Sequence, residues 1–160
     1  MELKDSGKRR EFSSGAVRDI QEGKGRCDLL PLKIIGECFH DAVLYNVGDY
    51  IYTGNTDRLT EAIEIFSALL LPNDPKGKRL SNLFLEVAKH YEDGCIKYGD
   101  RNWEKGIDLH CYIDSGIRHY LKWMRGDTDE PHDRAFVWNM LGAIWTQENR
   151  PDLIDLPFGG

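Results

Sequence analysis

Polar side chains able to bind a metal ion or transfer a proton stand beside apolar stripes in three predicted helices. In chain order they are Glu86, His90, Glu92, Asp93 and Lys97, then Asp114, Arg118 and His119, and then His132 and Asn139. Helical bundles build metal and cofactor sites from such groups on neighbouring helices. Most of the groups offer oxygen, a few are imidazoles, and no cysteine pair accompanies them, which favours Mg²⁺ or Mn²⁺ over structural zinc. The alternative is that each of these charged side chains simply lies on a solvent-exposed helix surface.

The last predicted helix is apolar nearly all round, so its exceptions are informative. His132, Ala135, Asn139, Gly142 and Ala143 fall on one narrow stripe at helical spacing. Two polar groups among small residues predict the wall of a groove that admits a ligand. The alternative is a buried asparagine and a histidine at a helix start, both satisfied by neighbouring backbone.

The preceding predicted helix carries His119 together with Tyr112 and Trp123 at the border of its apolar stripe. This position suits the rim of a pocket, and it equally suits a boundary histidine of an amphipathic helix. Asp114 and Arg118 lie four residues apart on the same helix, a spacing that predicts a surface ion pair.

A cluster of cations and glycines near the N-terminus could contact phosphate. Within "GAVRDIQEGKGRCDLLP", Arg18, Lys24 and Arg26 surround Gly23 and Gly25. Glycines let the backbone approach a ligand closely, and the flanking cations suit phosphate oxygens. The segment lacks the spacing of a P-loop, so a flexible solvated loop is the alternative.

The segment "KYGDRNWEKG" joins two of the predicted helices and combines cations, an amide and a large aromatic ring. Gly99 is expected to end the first helix. Lys97 and Arg101 are then placed to face a phosphate or a metal-bound anion, while Asn102 and Trp103 can frame a base or a sugar. The alternative is a loop fixed by a buried tryptophan.

The composition predicts one globular domain and limits its partners. The 160 residues are 41% hydrophobic and 30% charged, with a net charge of −6. An acidic chain is poorly suited to a nucleic-acid polymer, although a local basic cluster can still bind one nucleotide. The N-terminal residues contain no apolar core, no apolar run is long enough to cross a membrane, and four scattered cysteines suggest reduced thiols. A cytoplasmic protein is expected.

The apolar periodicity predicts an all-α, single-domain helical bundle with an extended N-terminal arm. The arm is 1–31, the predicted helices span 32–52, 60–71, 81–98, 109–124 and 131–147 within a domain of 32–150, and 151–160 is a tail. No segment predicts a strand. Thr60 is expected to cap its helix, and Asp129 the last helix, before Glu130 and Pro131.

Three stretches together resemble a phage- and prophage-associated family, the dATP/dGTP diphosphohydrolases. They are "GAVRD...EGKGRCDLLP", "HYEDGCIKYGDRNWEKGI" and "YIDSGIRHYLKWMRGDTDEPHDRAFVWNMLGAIW". The family is grouped with the MazG-like all-α nucleoside triphosphate pyrophosphohydrolases. The resemblance covers about 15–31 and 86–146, and 32–80 is interpreted as an insertion.

The resemblance implies cleavage of dATP or dGTP to the monophosphate and pyrophosphate with Mg²⁺ or Mn²⁺, in a phage- or prophage-derived homo-oligomer of a bacterial cell. Carried over to this chain, the implied catalytic residues are Glu92, His119 and His132, and the implied metal ligands are these three with Asp133. The implied nucleotide-binding residues are Arg18, Lys24, Arg26, Asp28, Lys97, Tyr98, Asn102, Trp103, Arg118 and Asn139. The chain departs from MazG-like proteins in lacking ExxE or ExxD pairs where a metal helix would carry them.

Two other functions fit the same residues. A nucleotide-binding protein without turnover, such as a sponge or sensor for nucleotide signals, needs the arm cations and Trp103 but no complete carboxylate set. A metal-dependent phosphohydrolase built on the dipeptide His132-Asp133 is a second alternative, with His90 or His119 as a further ligand.

Overall fold

The computed structural model describes residues 6–160 and confirms the all-α class expected of a MazG-like protein. Six α-helices are present in this range: α1 Leu32–Cys38, α2 Ala42–Thr53, α3 Asp57–Leu70, α4 Lys76–Tyr98, α5 Leu109–Arg125 and α6 His132–Asn149. Short 3₁₀ turns lie at Cys27–Leu29, Asn102–Lys105, Pro151–Leu153 and Pro157–Gly159. No helix among the described residues is long and apolar enough to cross a membrane.

The predicted arm contains a β-hairpin, so the expectation of no strand is wrong. Strands β1 Arg9–Glu11 and β2 Val17–Asp19 pair antiparallel, with Arg10 opposite Arg18. Each strand is only three residues long, which is too short to produce a recognisable alternation of apolar and polar side chains. The first five residues of the predicted arm lie outside the described range.

The single helix predicted for 32–52 is wrong, because the chain breaks between α1 and α2. His40 adopts a positive φ of 56°, and the Asp41 side chain accepts a hydrogen bond from the Leu44 amide at 2.9 Å. A Cβ at Gly36 would collide with the backbone of Tyr45, so α1 and α2 pack backbone against backbone. The apolar periodicity continues through this break and therefore conceals it.

Two predicted helix starts and one predicted helix cap are also wrong. Helix α3 begins at Asp57 rather than Thr60, and α4 begins at Lys76, five residues before Ser81. At α6, which begins at His132 close to the predicted start, the cap position is Pro131, and the Asp129 carboxylate contacts the His132 ring. An oxygen of Asp129 that was expected to cap the helix is therefore in contact with the His132 side chain.

Helices α5 and α6 form the centre of the bundle, which confirms that the last helix is buried. Tyr112, Tyr120 and Phe136 are fully buried between these helices and their neighbours. A Cβ at Gly142 would collide with the Tyr112 ring, so the two helices are in close contact there. The predicted groove wall along α6 is therefore wrong at Gly142 and Ala143, which α5 covers.

The N-terminal arm packs across α5 through one buried carboxylate. Asp114 accepts hydrogen bonds from the Cys27 amide at 2.7 Å, from Gln21 at 2.7 Å and from Arg118 at 2.6 Å. The Asp114 and Arg118 side chains are only 3% and 13% exposed. The prediction of a surface ion pair is wrong because the arm covers the pair.

Candidate functional site

A cleft of about 730 Å³ lies between the β-hairpin, the C-terminal half of α4, the 99–107 segment, α5 and α6. This volume suits a small organic ligand such as a nucleotide. Seven lysines and arginines line it against four carboxylates, so the cleft is cationic although the protein is acidic. These residues are Arg10, Arg18, Lys24, Lys97, Arg101, Arg118 and Lys122, with Asp19, Asp100, Asp114 and Glu130. The local charge favours an anionic ligand.

Arg18 on β2 is the cation best placed to receive an anion. Its guanidinium donates to the Ser115 hydroxyl at 3.1 Å and to the Asn139 amide oxygen at 3.3 Å. It lies over the rings of Tyr112 and Trp138 and pairs with no carboxylate among residues 6–160. Burial lowers the pKa of Arg18, a sign that its charge is incompletely compensated. An anion in the cleft would compensate it.

Other predicted phosphate-binding groups are occupied within the protein. Lys24 pairs with Asp19 at 3.2 Å, and Arg118 donates to Asp114 and to the Gly25 carbonyl. Lys97, Tyr98 and Asn139 line the cleft, as the prediction requires. Arg26 and Asp28 do not line it; they pair with each other through two hydrogen bonds of 2.8 and 2.7 Å.

The "KYGDRNWEKG" segment forms one side of the cleft. Gly99 ends α4 with a φ of 88°, as predicted. Both polar atoms of the Asn102 amide are used by Val17, whose N–H donates to it at 2.9 Å and whose carbonyl accepts from it at 2.7 Å. Asn102 therefore holds β2 in place. Trp103 lines the cleft and makes edge contacts with Tyr91 and Trp145.

A histidine–carboxylate cluster lies where α5 meets the start of α6. Ligand atoms of His119, Glu130 and His132 all lie within 4.8 Å of one another, and His119 and Glu130 line the cleft. The Nδ1 atoms of the two histidines are 2.9 Å apart. Two nitrogens each about 2.1 Å from one metal ion are about 3.0 Å apart at a right angle, so the observed spacing fits a shared metal.

The electrostatics of this cluster also suit a metal. Burial, and then the neighbouring His132, lower the pKa of His119 well below its ordinary value. His119 is therefore neutral at pH 7, the form that binds metals. The Asp129 carboxylate lies 2.7 Å from Nε2 of His132 and holds a proton there, which leaves Nδ1 with its lone pair directed at His119.

Two predicted ligands do not join this cluster. Glu92 is exposed and lies outside the cleft, and Asp133 borders a different cavity, between α3 and α4. Sequence reasoning assigned Glu130 only a place in a helix-start signal before Pro131. One sequence signal could have identified it. Glu130 stands two residues before His132, and a carboxylate at that spacing can lie close to the imidazole when a helix begins there.

The protein is all-α and carries a cationic cleft of a size that suits a nucleotide. Residues 68–155, more than half of the chain, match the family described as dATP/dGTP diphosphohydrolase, N-terminal, and the chain belongs to that family. This confirms the resemblance drawn from the sequence motifs. Comparisons with curated proteins and with solved structures found no match. The matched range includes 68–80, which the sequence assigned to an insertion, and the division into arm, insertion and tail stays a prediction.

Proposed function

We propose that the protein hydrolyses dATP or dGTP to the monophosphate and pyrophosphate with the help of a divalent metal. One observation carries the proposal: an anion-receiving arginine and a histidine–carboxylate cluster open into the same cleft. Membership of the dATP/dGTP diphosphohydrolase family agrees with this chemistry.

The triphosphate is held at the cationic side of the cleft. Arg18 has no carboxylate partner among residues 6–160, and Lys122 has no ion pair in the same range. Both are therefore available to phosphate oxygens. The base is received next to Arg18, where Tyr91, Trp103 and Trp138 present aromatic rings. Aromatic rings bind purines by stacking.

His119, Glu130 and His132 would hold the metal, and Asp129 orients His132. When bound, a divalent metal neutralises phosphate oxygens and lowers the pKa of an attacking water. Two imidazoles in the donor set favour Mn²⁺ or another first-row transition ion over Mg²⁺, because Mg²⁺ prefers oxygen ligands.

The reaction is tested by incubating the protein with each of the four deoxynucleoside triphosphates and Mn²⁺ or Mg²⁺, followed by chromatography. We expect deoxynucleoside monophosphate and pyrophosphate, with faster turnover of the purine nucleotides. Thermal stabilisation by dATP without any product would instead support the nucleotide-binding protein without turnover. Release of triphosphate or inorganic phosphate would support the phosphohydrolase centred on His132 and Asp133.

The proposed metal ligand is tested with a matched pair of variants. Glu130→Gln keeps the size of the side chain but removes its charge, and we expect Mn²⁺ affinity to fall at least tenfold in a calorimetric titration. Glu92→Gln is the control, because Glu92 is exposed and outside the cluster. We expect it to bind Mn²⁺ like the unaltered protein. If Glu92 supplies the essential carboxylate, as the family resemblance implied, Glu92→Gln loses turnover and Glu130→Gln keeps it.

A further inference from the structure

His90 is a buried histidine of the cleft to which the proposed reaction gives no role. The residue lies on α4, is only 6% exposed and lines the cleft. Its Nδ1 atom is buried and has no hydrogen-bond partner among residues 6–160. Most buried polar atoms are hydrogen-bonded, because an unpaired one carries a desolvation penalty. An unpaired nitrogen in a ligand cleft therefore points to a partner that the ligand supplies.

His90, Arg18 and Tyr91 all lie beside the ring of Trp138. The His90 ring lies 5.4 Å from the Trp138 ring, and the Arg18 guanidinium lies 5.5 Å from the same indole. The Tyr91 ring contacts the Trp138 ring as well, and it also contacts the Trp103 ring. His90 thus stands where the arginine that receives phosphate meets the aromatic rings that receive the base. In a nucleotide, the group between phosphate and base is the sugar.

The charge state of His90 agrees with a neutral partner. Burial, and then the cations Arg134, Arg18 and Lys97, lower its pKa to about 3. The imidazole is therefore neutral at pH 7 and offers one donor and one acceptor nitrogen. A neutral imidazole adds little to phosphate binding beside Arg18, whereas it pairs well with a hydroxyl group. No hydrogen bond of the His90 ring is present among residues 6–160, so a ligand hydroxyl meets no internal competitor for Nδ1.

We propose that His90 forms a hydrogen bond with the 3′-hydroxyl of the bound deoxyribose and that Trp138 forms the adjoining wall of this sugar subsite. The inference rests on the proposed function, since it takes the ligand of the cleft to be a deoxynucleotide. It adds a specificity residue that neither the family match nor the metal cluster supplies.

Binding of two nucleotides that differ only in this hydroxyl tests the proposal. The probes are the α,β-methylene analogues of dATP and of 2′,3′-dideoxy-ATP with Mn²⁺, which resist cleavage between the α- and β-phosphates. For the unaltered protein we expect the dideoxy analogue to bind about tenfold more weakly, the value of one hydrogen bond. For His90→Phe, which keeps an aromatic ring beside Trp138, we expect equal affinities for the two analogues. His90→Asn or His90→Gln should restore part of the difference.

A matched histidine variant and a stability measurement separate this role from a structural one. His110 lies outside the cleft and is paired with Asp155, so His110→Phe should lower the melting temperature but retain the tenfold preference. His90→Phe should melt at the same temperature as the unaltered protein or higher, because it removes an unpaired buried nitrogen. A lower melting temperature for His90→Phe would assign His90 a structural role and overturn the proposal.

The outcomes also distinguish this inference from the function on which it rests. Equal affinity of the unaltered protein for the two analogues overturns the sugar contact but leaves hydrolysis intact. Binding with the tenfold preference, but without hydrolysis of dATP, supports the sugar contact and contradicts the proposed reaction. If neither analogue binds, the sugar contact fails, and the products formed from dATP decide the proposed reaction on their own.

Discussion

At the residue scale, the important feature of Arg18 is that no carboxylate among residues 6–160 pairs with it. Its guanidinium lies beside two aromatic rings and donates to two neutral acceptors, so its charge is available for a ligand. Its burial makes any added anion more effective, because the charges interact in a medium of lower polarity than water. Arg26 differs from it, since Nε and Nη2 of that guanidinium both donate to the Asp28 carboxylate.

Replacing Arg18 with glutamine should therefore weaken substrate binding. We expect KM for dATP to rise about 10- to 100-fold, the value of losing a charged hydrogen-bond donor. Steady-state kinetics measure the change, and circular dichroism verifies that the variant is folded. Arg26→Gln is the control and should leave KM within about twofold. An unchanged KM in Arg18→Gln would show that the phosphates bind elsewhere in the cleft.

The sequence could predict part of the candidate site. His119 and His132 were recognised by their types, Arg18, Lys97 and Trp103 were recognised as nucleotide-binding candidates, and all but His132 line the cleft. The sequence could not show that internal partners occupy other candidates. Asn102 looked equally suited to a ligand, but its amide is completely engaged by Val17. Such partners are about 85 residues away in the chain, and no local pattern reveals them.

At the element scale, the β-hairpin depends on the 3₁₀ turn that follows α4. The turn residue Asn102 imitates a neighbouring strand, because its amide bonds both the N–H and the carbonyl of Val17. This contact holds Arg18, the next residue of β2, over the cleft. The position of Arg18, the proposed anion-receiving group, is therefore set by an element outside the hairpin.

Removing this amide should loosen the hairpin while the helices remain folded. We expect Asn102→Ala to lower the free energy of unfolding by about 1–3 kcal/mol, since two backbone groups of Val17 lose their partners. Hydrogen exchange should accelerate in residues 9–19 and stay unchanged in α5. Asn149→Ala is a suitable control, because the Asn149 side chain bonds only within its own helix. Unchanged exchange in the hairpin would contradict this role of Asn102.

The elements themselves were partly predictable. Helices α4, α5 and α6 were expected within a few residues of their ends, except for the start of α4, because each has a long apolar pattern. The hairpin and the break at His40 were missed, since neither interrupts an apolar pattern. Tertiary contacts decide these local features: β2 is held by Asn102, and α1 and α2 meet through close backbone packing at Gly36.

At the scale of the whole molecule, the C-terminal tail joins the start of α5 to the end of α2. Asp155 accepts hydrogen bonds from the backbone amide and the ring of His110. Phe158 packs 5.5 Å from the Tyr50 ring and against Gly54. The tail thus connects the half of the protein that carries the cleft to the half built from α1 to α3.

This junction gives the stability of the whole protein a specific dependence on pH. The hydrogen bond to Asp155, and then that to Cys111, raise the pKa of His110 to about 10, above the value of about 6.5 expected in the unfolded chain. Burial opposes ionisation of Asp155, but its bonds to His110 outweigh burial and lower the pKa of that carboxyl. The stabilisation from His110 is therefore complete below about pH 6.5 and is lost as the pH rises towards 10.

Thermal melts of the unaltered protein and of His110→Gln between pH 5 and 10 measure this dependence. We expect the variant to be less stable at pH 5–6 by up to about 1 kcal/mol, because partial exposure screens the pair. The difference should shrink steadily above pH 6.5, since the unaltered protein then loses the proton that the variant never carried. A difference between the unaltered protein and His110→Gln that stays constant up to pH 10 would show that the tail is held by Phe158 and its neighbours rather than by the His110–Asp155 pair.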